Sequence, residues 1–338
     1  MFSTLTLLVI IVVLLLPMKS LARAVRRSKS FELIFSLGSP KLCVRDVGSR
    51  CLKQLCDETE EKIESKISLN DILTRPPPSF DDRVRYGPDP SQFAELRFPH
   101  GRGLFPFLFV IHGGFWRSAH DLTHISHLCA ALTSKGIITC SLEYRRIGNS
   151  GGGWPGTFQD VSLAVDHLLE AVSSDPRVDH ARTAVLGHSA GGHLALWLVS
   201  MHRVPKASRL SCAQKYRIGT AVSLAGVCDL RTAWQQRLGN GVVTELLGGT
   251  PDQYPDRFDA GSPVELLPNG SKQILIHGTA DDIVPVSQSK EFVERAEQLG
   301  DQPTLVTLRG VGHFELIDPK TDAWSSVVHV VLQVLALR

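Results

Sequence analysis

Gly187-His188-Ser189-Ala190-Gly191, extended by Gly192, decides how the rest of the chain is read. A short apolar run, residues 183–186, precedes it, and helical periodicity follows from Ser189. A G-x-S-x-G set between a strand and a helix predicts a turn so tight that its flanking positions must be small. Such a turn lifts the Ser189 hydroxyl out of the sheet. It also puts the Ala190 N–H at a helix N-terminus, where the amide has no partner within the helix. The chemistry implied is a serine nucleophile with a backbone donor beside it.

Working outward, continuous apolar runs at 105–111, 137–142, 218–224, 273–276 and 304–308 read as buried strands. Between them lie helical patterns. Leu122, Ile125, Leu128, Cys129 and Leu132 share a helical face that Gly136 ends. Thr157 with Asp160 reads as a capped helix start, with Phe158, Val161, Val165, Leu168 and Leu169 on one face. Trp324, Val327, Val328, Val331 and Leu335 form a closing helix. Strands alternating with helices predict an α/β protein, a mostly parallel sheet with helices on both faces. The stretch 231–267 is long enough for a small cap insertion. No internal repeat is present.

Three loops after predicted strands complete the chemistry. His112-Gly113-Gly114-Phe115-Trp116 offers glycine N–H groups that can approach an oxyanion, so Gly113, Gly114 and Ala190 are the expected oxyanion hole. His112 reads as a structural hydrogen-bonder of that loop. His277-Gly278-Thr279-Ala280-Asp281-Asp282 supplies a carboxylate that can orient an imidazole. Asp281 is favoured over Asp282, with Asp229 as the outside candidate. Gly310-Val311-Gly312-His313-Phe314 places His313 on a glycine-rich loop near the C-terminus as the base. The expected triad is Ser189, Asp281 and His313. His120, His124, His127 and His188 read as surface or local structure. His193, four residues after Ser189, is a candidate for the pocket border. Phe115, Trp116, Trp154 and Phe314 are candidates for an aromatic pocket, against the plainer reading that they pack around the loops.

Composition sets limits. The 338 residues are 43% hydrophobic and 21% charged, enough for one large core. Before Glu32 there are only basic charges: Lys19, Arg23, Arg26, Arg27 and Lys29. The 36 basic residues less these five leave 31 against 34 acidic, so the remainder is net −3 and unsuited to nucleic acid. Cys140 and Cys228 read as buried free thiols. Cys43, Cys51 and Cys56 lack a neighbouring His at ligand spacing, so no metal is expected. Residues 5–16 are apolar apart from Thr6, about the length of a signal-peptide core but short of the roughly 20 residues of a spanning helix. Ala22-Arg23-Ala24 resembles a cleavage site, whereas the basic cluster after the apolar run favours an uncleaved anchor facing the cytosol. Residues 1–30 are therefore read as a signal peptide or membrane anchor, with the secretory pathway or a membrane as the expected location. A transit peptide, an overextended start and a cytoplasmic location are the alternatives. Residues 31–78 are expected to be a poorly structured preamble with a solvated helix at 57–66 and a stiff linker at Pro76-Pro77-Pro78. Residues 79–338 are expected to form the main domain.

HGGFW, GHSAGGH, HGTADD and GVGHFELID together resemble α/β-hydrolases of the kynurenine formamidase-like (arylformamidase) and hormone-sensitive-lipase-like esterase group. The resemblance runs from about Tyr86 to the C-terminus. It implies the α/β-hydrolase fold, the triad and oxyanion hole named above, and no cofactor. The expected activity is hydrolysis of small acyl esters or N-formyl and aryl amides through an acyl-enzyme, with a small-molecule acyl compound as partner. A carbohydrate deacetylase and a prolyl-oligopeptidase-like peptidase are the enzymatic alternatives. A membrane-tethered binding protein on a hydrolase scaffold is the non-enzymatic one. The apolar N-terminus and the Cys-bearing preamble depart from the usual soluble formamidase.

Overall fold

The computed structural model describes residues 66–336. Eight strands form one sheet: β1 Asp82–Arg85, β2 Phe93–Arg97, β3 Phe105–Ile111, β4 Ile138–Leu142, β5 Val178–His188, β6 Thr220–Leu224, β7 Lys272–Gly278 and β8 Thr304–Leu308. Their order is β1-β2-β4-β3-β5-β6-β7-β8. β1 and β2 pair antiparallel with their neighbours, and every other pairing is parallel.

Strand alternation divides the core into two layers, because successive side chains leave opposite faces. Phe107, Phe109 and Ile111 of β3 enter one layer, with Phe158, Val161 and Leu168 of the helix Gly156–Ala171 and Leu194 and Leu198 of the helix Ala190–Ser200. Leu108 and Val110 enter the other, with Leu128 and Leu132 of Ser126–Thr133 and Val327, Val331 and Leu335 of Ala323–Ala336. This is the α/β-hydrolase fold expected from the sequence. Between β6 and β7 the chain makes the cap from three helices, Leu230–Gln235, Leu238–Leu247 and Pro255–Gly261. Val242, Val243, Leu246 and Phe258 anchor it in the first layer.

Three expectations need correction. The main domain does not begin at Ser79. Ile72, 1% exposed, is buried in the second layer. The Ile67 N–H donates to Glu315, and Arg75 pairs with Asp318 at 3.0 Å. Residues 66–78 are thus part of the packed domain, and the triple proline lies within its surface. The second concerns Thr157 and Asp160, which make no capping box. Thr157 lies inside the helix and donates to the Arg145 carbonyl at 2.6 Å. Asp160 is a buried counter-ion that accepts from Arg145 and from Gln92. The third is the pair β1 and β2, which the apolar pattern did not announce. The apolar segment 5–16, the helix expected at 57–66 apart from Lys66, and Cys43, Cys51 and Cys56 lie outside the described residues. Among the described residues no helix is long and apolar enough to cross a membrane.

Candidate active site

Ser189 sits at φ 57°, ψ −120°, a conformation that non-glycine residues rarely adopt. Its neighbours hold it there. The Ser189 N–H donates to the Leu224 carbonyl at 2.8 Å, and the His193 N–H donates to the Ser189 carbonyl at 3.1 Å. A Cβ at Gly191 would lie 2.0 Å from the Ile111 carbonyl oxygen, and one at Gly187 equally close to that of Gly191. The elbow therefore closes only with glycine at both places. The Ser189 side chain caps nothing, so its hydroxyl is left for other work. Ala190 is the first residue of the helix, where the amide points out of the helix end.

The 112–116 loop leaves β3 against this elbow. A Cβ on Gly113 would come 3.0 Å from the Ser189 Cβ, so the backbone at Gly113 passes close to the Ser189 side chain. Gly114, Phe115 and Trp116 all have positive φ. The strained turn is tied by Arg117 N–H to the Gly114 carbonyl at 3.0 Å and Ile147 N–H to that of Trp116 at 2.8 Å. Beneath it, His112 bridges the Gly113 carbonyl and Glu143, and its ring stacks on Tyr144. His112 holds the loop, as its reading from sequence suggests.

The loops that carry Asp281 and His313, after β7 and β8, are sewn together. Thr279 N–H donates to the Leu308 carbonyl, Ala280 N–H to that of Val311, and Gly310 N–H to the Thr279 hydroxyl. His313 Nδ1 lies 2.7 Å from Asp281 Oδ2. The other carboxylate oxygen, Oδ1, accepts from the Ile283 and Val284 amides, both at 2.9 Å. His277 Nε2 lies 2.9 Å from the Val284 carbonyl and 3.3 Å from Asp281 Oδ2. Burial raises the Asp281 carboxyl, but the hydrogen bonds from His277 and His313 outweigh it and hold the group well below the usual carboxylate range. A carboxylate at Oδ2 fixes the His313 hydrogen on Nδ1 and leaves Nε2 as the basic nitrogen. Asp282 instead points outward, 67% exposed, and pairs with Lys66. Asp229 caps the helix Leu230–Gln235.

His188 places the His313 loop beside the elbow. Its Nε2 lies 3.0 Å from the His313 carbonyl, and its ring centroid is 4.5 Å from that of His313. Ser189, Asp281, His313, Gly113 and Ala190 thus converge at the C-terminal edge of the sheet, where α/β proteins bind ligands. The aromatic candidates are scattered. Phe314 packs edge-on against His313 at 5.1 Å. Phe115 is half-buried under the cap, where a Cβ on Gly239 would meet its ring at 2.8 Å. Trp154 lies with Phe158 and the Arg257 guanidinium. Trp116 is wholly buried, edge-on to His193. His193 is buried too, donates to the Gly261 carbonyl, and is pushed by burial down to about 4.

No motif assigns a role to His277 or Glu143, and the sequence pattern puts His124 and His188 at the surface or in local structure. All four are buried around the loops that carry Ser189, Asp281 and His313. The available signal was position: His188 belongs to the elbow, and His277 ends β7 four residues before Asp281. Among the described residues no group of three or more His, Cys, Asp or Glu side chains could hold a metal ion.

Residues 97–296, more than half of the chain, match the BD-FAE family. The chain belongs to that family. Among curated proteins, this BD-FAE chain is similar to Esterase LipC of Mycobacterium tuberculosis, 28% identical over 70% of the chain and 60% of LipC. It is also similar to the uncharacterized peptidase YuxL of Bacillus subtilis, 28% identical over 63% of the chain and 31% of YuxL. The matches therefore span less than two-thirds of these relatives' own length. Among solved structures, a truncated carbohydrate esterase from gut microbiota superposes with a TM-score of 0.65 at 19% identity, over 77% of this chain and all of the other. That likeness supports the fold.

Proposed function

We propose that this chain is a serine hydrolase that cleaves carboxylic esters with small acyl groups and, more slowly, N-formyl aryl amides. The observation that carries the reading is the 2.7 Å contact between His313 Nδ1 and Asp281 Oδ2 beside a serine held in the elbow conformation. Ser189 Oγ attacks the acyl carbonyl, and His313 Nε2 takes its proton. The amides of Gly113, Gly114 and Ala190 receive the charge that develops on the carbonyl oxygen. His313 returns the proton to the departing alcohol or amine, and water then releases the acid by the reverse exchange. Similarity to LipC supports the ester. The aryl amide rests on the motif resemblance and on Phe115 and Phe314 beside the catalytic loops, which suit an aryl leaving group. The arylamine of a formyl anilide also leaves more readily than the amine of an ordinary amide, because the ring withdraws electron density. A peptidase is the second reading, favoured by the similarity to YuxL.

The test is turnover of acetyl, butyryl and palmitoyl nitrophenyl esters, an N-formyl arylamine and a peptide anilide, with Ser189→Ala as control. The short esters should lead, and Ser189→Ala should lose fluorophosphonate labelling and about 10⁴ to 10⁶ in kcat. Preference for the palmitoyl ester or the peptide anilide overturns the small-acyl reading. Formamide inertness removes only the amide part.

A further inference from the structure

Two buried imidazoles lie outside the triad yet touch the elbow and the loop that carries His313. His124 Nε2 is 2.8 Å from His188 Nδ1, and His188 Nε2 is 3.0 Å from the His313 carbonyl oxygen. The direction of this chain follows from its last member. A carbonyl oxygen only accepts, so His188 carries its hydrogen on Nε2. A neutral ring has one such hydrogen, so His188 Nδ1 is a lone pair and His124 Nε2 must donate to it. His124 Nδ1 is then a second lone pair, and it is buried without a partner. Burial, followed by a neighbouring imidazole, holds both rings well below the ordinary histidine range, which keeps them neutral. The groups that face His188 are His124, His313, His277 and the Asp281 carboxylate; those that face His124 are His188, His112, His313 and His120.

We propose that His188 and His124 are positioning residues, a one-directional imidazole pair that fixes the His313 carbonyl and so the angle at which its ring meets Ser189. Three contacts give the pair that reach. His188 adjoins the nucleophile in sequence. A Cβ on Gly113 would lie 3.2 Å from the His124 Cε1, so the pair also underlies the oxyanion loop. The ring of Phe314, next to the base, lies 6.1 Å from His124 and 6.0 Å from His188. The pair thus ties the elbow to the base loop through one hydrogen-bond direction and packs beneath the oxyanion loop. The inference rests on the reading of His313 as the base.

His188→Phe removes the donor and keeps a ring, whereas His188→Gln keeps an N–H near the position of Nε2. Active enzyme is counted by fluorophosphonate titration, so that kcat on the acetyl ester refers to folded sites alone. Misplacement of a catalytic group by a fraction of an ångström to an ångström lowers rates by up to about a hundredfold, so the Phe variant should lose roughly ten- to a hundredfold in kcat with KM little changed. The Gln variant should recover most of that loss. Wild-type kcat in the Phe variant, or a Gln variant as slow as Phe, overturns the proposal. ¹⁵N NMR of histidine-labelled wild-type protein supplies a readout free of turnover. Both rings should carry hydrogen on Nε2 alone from pH 6 to 8, and an Nδ1-protonated or charged His188 overturns the pair. Turnover that survives Ser189→Ala would instead sink the hydrolase reading and leave the NMR result standing.

Discussion

Replacing Asp281 by Asn changes one atom in a site where every neighbour is already committed. The amide has two orientations. In one, its oxygen faces His313 and its NH₂ faces the Ile283 and Val284 N–H groups, which donate to Oδ1 at 2.9 Å in the native site. Two buried amides would then lose their acceptor, at about 1–3 kcal/mol each. In the other, the oxygen stays with those amides and the NH₂ faces His313 Nδ1. The second arrangement is favoured, because both backbone amides keep their acceptor, His277 keeps the Val284 carbonyl, and His313 adjusts by moving its hydrogen to Nε2. That tautomer cannot accept the Ser189 proton. The expected loss is about 10⁴ in kcat, near 5.5 kcal/mol of transition-state stabilisation. Asp282→Asn removes only an exposed pair with Lys66, worth at most about 1 kcal/mol of stability, and should leave kcat unchanged. Steady-state turnover of an acetyl nitrophenyl ester, with active sites counted, measures both. An Asp281→Asn enzyme within threefold of wild type, or equal losses in the two variants, refutes the reasoning.

Ile72→Ala should cost about 2–4 kcal/mol in urea unfolding, because it empties a site in the second core layer; a change below about 0.5 kcal/mol would show that residues 66–78 are not packed. His193 is neutral when folded, with its imidazole pushed down to about 4. The unfolded chain binds that proton first, so stability is full above pH 6.5 and falls as pH drops towards 4, by roughly 1.4 kcal/mol per pH unit. His193→Gln removes this term, so the stability gap between wild type and variant should shrink by about 2 kcal/mol from pH 7.5 to pH 5. An unchanged gap would refute it.

The central sheet was legible because parallel strands buried on both faces are continuous apolar runs, and β3 matches its expected bounds to the residue. β1 and β2 were not, since they hide charge by pairing it. Glu95 is buried with Arg97 on its own strand and accepts from Arg83 across the ladder at 2.5 Å. A hydropathy pattern reads those residues as surface. The domain start is hidden for a related reason. Pro76-Pro77-Pro78 has the composition of a linker, yet Arg97 donates to the Pro78 and Ser79 carbonyls and ties the prolines to the sheet.

The site divides along the same line. Its loops were legible because each chemical group stands in a short motif that follows a strand: Gly113 after β3, Ser189 after β5, Asp281 after β7 and His313 after β8. Neighbouring parallel strands end at one edge, so naming the four loops already brings them together. The bonds that aim the groups were not legible. His124 meets His188 across 64 residues of sequence, and His188 meets His313 across 125. Each imidazole is polar alone and reads as surface. Each is tolerated in the interior because its hydrogen is handed to the next acceptor, so that burying the set leaves one unpaired lone pair instead of several. That one-way satisfaction is a property of the assembled loops. It explains why a catalytic edge can carry more buried histidine than its motifs announce, and why those histidines need to stay uncharged for the base beside them to stay in place.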